Sequence, residues 1–213
     1  MTDLVGRKDR DFDESKSDSA ESVLFATAFA GLGLEPALLV PWEARAVEID
    51  AKRMNSERGT QLLQDAWAKD KNMSHLDQAS IGNLARFFDF AHVAGNRDVI
   101  RQDEYGNFMV VLLKGTIAVD RVQPWGERLR LAETHTGEIL GEMSLLDSGI
   151  RFSTCTSLDD CELAVLSAEG MDEMMDADPK LAASLIALLA RKLSLRLRVV
   201  SARLSDSKAT GAK

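Results

Sequence analysis

Residues 141–154 read GEMSLLDSGIRFST, and this stretch governs the interpretation of the whole chain. A Gly-Glu step opens a short apolar turn, a loop of small residues follows, and Arg151 begins a segment rich in Ser and Thr. Backbone N–H groups at the start of a short helix favour negative charge, and a guanidinium can donate two parallel hydrogen bonds to phosphate oxygens. An ionised carboxylate such as Glu142 accepts hydrogen bonds, for example from a sugar hydroxyl. The stretch therefore predicts a site for a small anion that carries a hydroxyl group.

Around this stretch the chain has the pattern of a small β domain. Apolar runs separated by turn residues predict strands over residues 90–93, 99–101, 108–113, 116–122, 129–133, 152–157 and 161–166. We expect the last two to pair across Asp159 and Asp160, which would make Cys155 and Cys161 cross-strand neighbours. Both cysteines are predicted to be buried free thiols in a reducing compartment. Seven or eight short strands of this kind are typical of a small sandwich or rolled barrel.

Helical patterns precede and follow the strands. Before them, helices are predicted over residues 23–30, 42–54 and 60–69, and another begins with Ser74 as its N-cap. After them comes a short helix over 169–178, then a long helix from Pro179 to about Leu204. The long helix carries two apolar stripes, of which one would cover the core and the other would form a homodimer contact over 180–204. A helix packed wholly on its own domain is the alternative.

Composition limits the classes of protein that fit. The chain has 213 residues, 45% of them hydrophobic and 28% charged, which is ordinary for a soluble protein of one or two domains. We divide it into a disordered polar tail (1–22), a helical extension (23–73), a domain that ends in the dimer helix (74–204) and a polar tail (205–213). The net charge of −8 argues against broad nucleic-acid binding. With no signal-peptide pattern and no membrane-spanning segment, we expect a cytoplasmic protein without membrane contact.

The order of these elements resembles the cyclic nucleotide-binding domain family over roughly residues 76–200. The stretch DEYGNFMVVLLKG at 103–115 is similar to the family's acidic turn and the strand after it. The stretch TGEILGE at 136–142 is similar to the entry of the family's phosphate-binding cassette, with Glu138 in place of Asp, and Arg151 follows Gly141 by ten positions. This resemblance implies an α+β fold with N-terminal helices, a small β jelly roll, a helical phosphate-binding cassette and a long C-terminal helix.

The resemblance also implies the contacts to a cyclic nucleotide, cyclic AMP or cyclic GMP, with no further cofactor. Glu142 would hold the ribose 2′-hydroxyl. Arg151 would hold the cyclic phosphate together with the backbone N–H groups of Met143 and Ser144, and Gly141 would open this cradle.

The sequence departs from the family beside the arginine. The next position is usually a small residue, because it lies against the phosphate, and here it is Phe152. Its ring would either fill the space of the ligand or swing aside and stack on something larger. Ser153 stands one position too late for the Thr that favours guanine in relatives.

No pattern predicts catalysis, since the three histidines are scattered and no nucleophile–base pair or metal-binding spacing occurs (His75, His92 and His135). Related regulators place a DNA-reading module after the long helix, and residues 205–213 are too few for one. We therefore expect the signal to pass to an effector protein. The basic residues of the long helix are expected to solvate its outer side (Arg191, Lys192, Arg196, Arg198 and Arg203). Two functions stay open, a cyclic-nucleotide sensor that acts through protein–protein contacts and a ligand-independent scaffold with the same fold.

Overall fold

The computed structural model describes residue 25 and residues 38–69 and 76–210, with side chains up to residue 202. The predictions for residues 1–22, for Ser74 and for nearly all of the helix over 23–30 lie outside this part of the chain. Within it the helices are α1 (Trp42–Glu48), α2 (Ser56–Ala68), α3 (Gln78–Leu84), α4 (Glu142–Asp147), α5 (Ala168–Ala177) and α6 (Pro179–Thr210), with one 3-10 turn at Ala85–Phe87. The strands are β1 (Lys52–Arg53), β2 (Asp89–Val93), β3 (Asp98–Ile100), β4 (Phe108–Lys114), β5 (Ile117–Val122), β6 (Arg128–Thr134), β7 (Ile139–Leu140), β8 (Thr154–Ser157) and β9 (Cys161–Ser167).

The strands form two antiparallel sheets, which confirms the predicted α+β fold with a β jelly roll. One sheet has the order β1-β2-β9-β4-β7 and the other the order β3-β8-β5-β6. The predicted pairing of residues 152–157 with 161–166 is wrong, because β8 pairs with β3 and β5 whereas β9 pairs with β2 and β4. The turn between them passes the chain from one sheet to the other. Cys155 and Cys161 are therefore not cross-strand neighbours, although both are buried free thiols as predicted.

Two apolar cores lie on the opposite faces of β4 and β9, the strands whose residues are buried on both sides. Between the sheets, Phe108, Val110 and Leu163 pack with Ile117 of the second sheet. On the outer face, Met109 and Val111 pack against residues of α2, α5 and α6, including Trp67, Met171 and Leu185. Alternate side chains of one strand point to opposite faces, so a strand covered on both sides reads as a continuous apolar run. Helices α2, α5 and α6 are thus held on one side of the roll, whereas Trp42 of α1 belongs to the core between the sheets.

Four helical boundaries differ clearly from the predictions, and one of them is the start of α2, which lies at Ser56 and not at residue 60. The helix predicted over 42–54 ends at Glu48, because Asp50 adopts a left-handed conformation (φ 54°) and the chain turns into β1. Asp77 caps α3, since its carboxylate accepts a hydrogen bond from Ser80 N at 2.7 Å. Helix α6 runs to Thr210, beyond the predicted end near Leu204.

Helix α6 has a buried half and an exposed half. Its first turns place Leu181, Leu185, Leu188 and Leu189 in the outer core. Between Leu195 and Val200 its large apolar side chains are about half exposed or more, as at Leu197 (67%). No helix in the described part of the chain is both long enough and apolar enough to cross a membrane. The stretch 141–154 lies where β7, α4 and β8 connect the two sheets.

Candidate functional site

The turn that leads into β7 is held by hydrogen bonds to β4 and by one within the turn itself. Gly137 adopts a left-handed conformation (φ 91°), and its N–H donates to the Leu112 carbonyl at 2.7 Å. Glu138 Oε2 accepts a hydrogen bond from His135 N at 2.8 Å. The carboxylate of Glu138, which stands where the family has Asp, is therefore used to close this turn.

Two glycines leave the space in which the Arg151 guanidinium lies. A Cβ on Gly141 would stand 2.7 Å from Arg151 Nη1, and a Cβ on Gly106 would stand 2.7 Å from Arg151 Nε. Gly141 also has a left-handed backbone (φ 78°), which side chains other than glycine adopt at a cost. Glycine is therefore required at both positions, Gly106 in the acidic turn and Gly141 in the cassette, because a side chain at either would collide with the Arg151 guanidinium.

Arg151 is buried, with 3% of its surface exposed. Its guanidinium donates to the carbonyls of Phe108 at 2.7 Å and Gly141 at 2.9 Å, and lies 4.5 Å from the centre of the Phe108 ring. Burial lowers the pKa of Arg151 to about 10, so the group is still charged at neutral pH. No carboxylate of the described residues forms an ion pair with it. Arg151 is therefore a buried cation that contacts carbonyl oxygens and an aromatic ring, while Glu104 and Glu142 attract it without forming an ion pair, and such a group is electrostatically suited to an additional anion.

Glu142 is buried at the first position of α4, with 4% of its surface exposed. Its carboxylate accepts a hydrogen bond from Arg196 of α6, and the two groups form an ion pair. Arg196 also donates to the Ile139 carbonyl at 3.0 Å. The expectation that Arg196 only solvates the outer side of the long helix is therefore wrong. The terminal helix reaches the carboxylate that the resemblance assigns to the ribose hydroxyl.

Phe152 does not fill a buried space. Phe152 has 53% of its surface exposed. The Arg121 guanidinium lies over its ring, 3.9 Å from the ring centre. Arg121 also donates a hydrogen bond to the Phe152 carbonyl. The ring is thus placed at the surface of the cassette, on the side of β5.

The other predicted site residues lie in or beside α4 and β8. Met143 is about half exposed and Ser144 is buried, both in the first turn of α4. Ser153 lies just before β8. Burial raises the pKa of Cys155 to about 12, so this thiol is neutral.

Arg45 of α1 connects the N-terminal part of the described chain to the cassette, a contact that the sequence did not reveal. Arg45 of α1 is 1% exposed and forms ion pairs with Glu48 and Glu104. The backbone of Glu104 accepts from Arg151 N at 2.8 Å, and the Arg151 carbonyl accepts from Asp103 N at 2.9 Å. Helix α1 is therefore linked through one acidic turn to the segment that carries Arg151. No motif marks Arg45, because its partners become neighbours only in the folded chain.

The described residues offer no group of His, Cys, Asp and Glu side chains that could hold a metal ion. The histidines are not part of the cassette: His92 lies in β2, His135 lies in the turn before β7, and His75 is outside the described residues. The charged groups at the site are thus Glu142, Arg151 and the two arginines that reach it from β5 and α6.

Comparison with known proteins agrees with this geometry. The model of the cyclic nucleotide-binding domain family matches residues 91–178. The cyclic AMP receptor protein of Thermus thermophilus is 33% identical over 97 residues, which are 46% of this chain and 45% of that protein. This chain therefore spans less than half the length of that relative.

Two solved structures illustrate the similarity of fold. A cyclic nucleotide-binding domain from Methylobacillus flagellatus has a TM-score of 0.67 and 19% identity, with 74% of this chain and 89% of that chain covered. The catabolite activator protein of Thermus thermophilus has a TM-score of 0.53 and 27% identity, with 62% of this chain and 63% of that chain covered. The fold around the cassette is thus one seen in cyclic-nucleotide receptors.

Proposed function

Because residues 91–178 belong to the cyclic nucleotide-binding domain family, we propose that this chain is a regulatory protein that binds a cyclic nucleotide at residues 141–154. The observation that carries the proposal is the buried Arg151, whose guanidinium donates to two carbonyl oxygens and forms no ion pair with a carboxylate of the described residues. A cyclic phosphate would supply the missing negative charge. Glu142, in the same cassette, would accept the ribose hydroxyl.

The contact between Glu142 and Arg196 couples ligand binding at the cassette to the position of α6. A hydroxyl that binds the Glu142 carboxylate has to share it with Arg196 or displace it. If the ligand binds better when Arg196 has left, it favours an arrangement in which the second half of α6 is released. The signal then passes to an effector protein through that helix.

The exposed half of α6 is also where we propose a homodimer contact. Four large apolar side chains are 46–67% exposed there (Leu195, Leu197, Val199 and Val200). Packing against the same helix of a second copy would remove them from water. The ligand would then act on a surface that is shared by two chains.

A ligand-independent scaffold is the second candidate, and one observation favours it. The two residues assigned to the ligand already have partners within the chain, since Arg151 binds carbonyls and Glu142 binds Arg196. A domain that had lost its ligand would retain such contacts for stability alone.

Calorimetric titration of the purified chain distinguishes the two candidates. We expect heat of binding with cyclic AMP or cyclic GMP, and an affinity at least about tenfold weaker for Glu142→Gln, because a hydrogen bond to a charged group contributes about 1.5–3 kcal/mol. Glu127→Gln is the matched control, since Glu127 is exposed in the turn before β6. No heat with either nucleotide or with a cyclic dinucleotide, from a folded protein, would leave the scaffold as the function.

A further inference from the structure

The chain before α1 pairs with the acidic turn, and the acidic turn pairs with the cassette. The backbone of Leu39 lies parallel to that of Tyr105, and Val40 N donates to the Tyr105 carbonyl at 2.9 Å. Tyr105 is also bridged in antiparallel fashion to Ile150, the residue before Arg151. A continuous set of backbone contacts thus runs from the N-terminal segment to the cassette arginine, although that segment lies outside the part of the chain that the family model matches.

Helix α1 adds two buried side chains to this connection. The ring of Trp42 meets the Phe108 ring edge-on, with the ring centres 5.5 Å apart. Phe108 is the residue whose ring and carbonyl both contact the Arg151 guanidinium. Arg45 forms an ion pair with Glu104 of the acidic turn. Groups on both sides of Arg151, the aromatic ring and the acidic turn, are therefore held from α1.

Glu104 interacts with two buried arginines. Its carboxylate pairs with Arg45, and its carbonyl accepts a hydrogen bond from Arg151 N at 2.8 Å. Burial lowers the pKa of Arg151, the charge of Arg45 lowers it further, and Glu104 raises it. The two guanidinium groups thus repel each other, and the carboxylate of Glu104 attracts both. The Arg45–Glu104 ion pair therefore fixes the backbone that bonds to Arg151 as well as a charge that acts on it.

Stability alone does not account for Arg45. Its Nε is buried and has no hydrogen-bond partner among the described residues. An unpaired buried donor costs free energy, and replacement of a buried ion pair by apolar side chains is often neutral or stabilising. A directed ion pair differs from an apolar contact because it fixes the positions of the groups that it joins. For Arg45 the group so fixed is Glu104.

We propose that Arg45 is a positioning residue for the ligand site, which holds the acidic turn where Arg151 can meet the ligand phosphate and so couples α1 to ligand binding. Coupling between two sites is reciprocal. A bound nucleotide therefore holds α1 more firmly against the roll, and release of α1 weakens the binding of the nucleotide. This inference rests on the proposed function, because it needs an anion at Arg151.

Calorimetric titration of the full chain with cyclic AMP, cyclic GMP and cyclic diguanylate tests the positioning role. Arg45→Gln should weaken the nucleotide that the wild-type protein binds by about tenfold, the effect of losing one hydrogen bond to a charged group. Glu104→Gln should weaken it as well. Simple attraction between charges predicts the opposite for Glu104→Gln, because that variant removes a negative charge near the phosphate.

Two features of these variants keep the test sharp. Glu104 has 30% of its side chain exposed, so Glu104→Gln can be measured even if Arg45→Gln does not fold. Arg58→Gln is the control, because it breaks the ion pair of α2 with the buried Glu162 of β9 and should leave the affinity unchanged. Thermal melting of each variant confirms that it is folded.

Hydrogen exchange at residues 42–48 measures the reciprocal effect. In the wild-type protein we expect these amides to exchange more slowly when the nucleotide is bound, because binding lowers the population in which α1 is released. In Arg45→Gln, saturated with the same nucleotide, we expect this protection to be lost. A purely structural role of Arg45 would change the exchange rates of α1 equally with and without nucleotide.

The results that overturn the inference differ from those that overturn the proposed function. If the wild-type protein binds a nucleotide and either Arg45→Gln or Glu104→Gln binds it equally well or more tightly, Arg45 does not position the site and the proposed function remains. The same conclusion follows if the nucleotide leaves the exchange of residues 42–48 unchanged. If the folded wild-type protein binds none of the three nucleotides, the proposed function is wrong and this inference is wrong with it.

Discussion

Removal of Arg196 is the perturbation that best tests how the terminal helix and the cassette act on each other. The Glu142 side chain is 5% exposed and the Arg196 side chain 48% exposed, so the ion pair lies at the boundary between protein and water. A hydrogen bond between charged groups contributes about 1.5–3 kcal/mol when buried. Screening at the half-exposed arginine reduces this to about 1–2 kcal/mol. We therefore expect Arg196→Gln to lower the free energy of unfolding by about that amount.

The same change should strengthen ligand binding. If a ligand hydroxyl has to replace Arg196 at the Glu142 carboxylate, the free energy of that ion pair is subtracted from the binding free energy of the wild-type protein. Its removal should then tighten the binding of cyclic AMP about 5- to 30-fold in a calorimetric titration. Arg198→Gln is the matched control, because Arg198 is exposed on the same helix and forms no ion pair with a described residue.

Two results would refute this reasoning. An unchanged affinity would show that the ligand leaves the Glu142–Arg196 contact intact. A weaker affinity would show that Arg196 contacts the ligand directly. A double-mutant cycle with Glu142→Gln measures the coupling energy between the two side chains in the absence of ligand, and a value near zero would show that the ion pair does not form in solution.

Three further predictions concern the glycine beside Arg151, the buried thiol of Cys155 and the exposed half of α6. Gly141→Ala should lower the free energy of unfolding, measured in urea, by about 2–4 kcal/mol, because the new methyl group collides with Arg151 and the backbone is left-handed. Gly126→Ala is the control, since its φ is also positive but nothing lies within 4 Å of the new methyl group, and it should cost only about 1 kcal/mol. Equal losses in the two variants would show that the close contact between Gly141 and Arg151 does not matter for stability. Burial raises the pKa of Cys155 from 9.0 to about 12, so the unfolded chain binds fewer protons and stability should fall by about 1 kcal/mol between pH 9 and 10 on account of this thiol. Cys155→Ala should lose less over that interval, and identical pH profiles would show that the thiol ionises normally in the fold. Leu197→Glu should shift the protein from dimer to monomer in sedimentation velocity, and a monomeric wild-type protein would disprove the helix contact.

The sequence predicted those parts of the fold that depend on local pattern. Strands such as β4 were predictable because an apolar run ends at Lys114 and Gly115, and the latter has a φ of 97° that favours glycine. Gly106 of the acidic turn, Gly141 of the cassette and Arg151 were predictable because the guanidinium approaches both glycine backbones closely, which ties these three residues to one sequence pattern.

The errors arose where distant segments meet. Asp159 and Asp160 have the composition of a hairpin turn, but a tight turn can equally connect strands of facing sheets. Here it connects β8 of one sheet to β9 of the other, with Cys155 and Cys161 in the core between them. The contact of Arg196 with Glu142 joins residues that are 54 positions apart. Helical periodicity places Arg196 on a polar face, and it carries no information about which acidic side chain lies opposite.

The central place of β9 has a consequence for how the chain is synthesised. In the five-stranded sheet β9 lies between β2 and β4, so neither of those earlier strands meets its inner partner until residues 161–167 exist. A nascent chain that ends before Cys161 would expose two unpaired strand edges, at β2 and at β4, and such edges invite association with other chains. Pairing over so long a sequence separation also slows folding. We therefore expect this domain to fold after its last strand has left the ribosome, and to depend on chaperones until then.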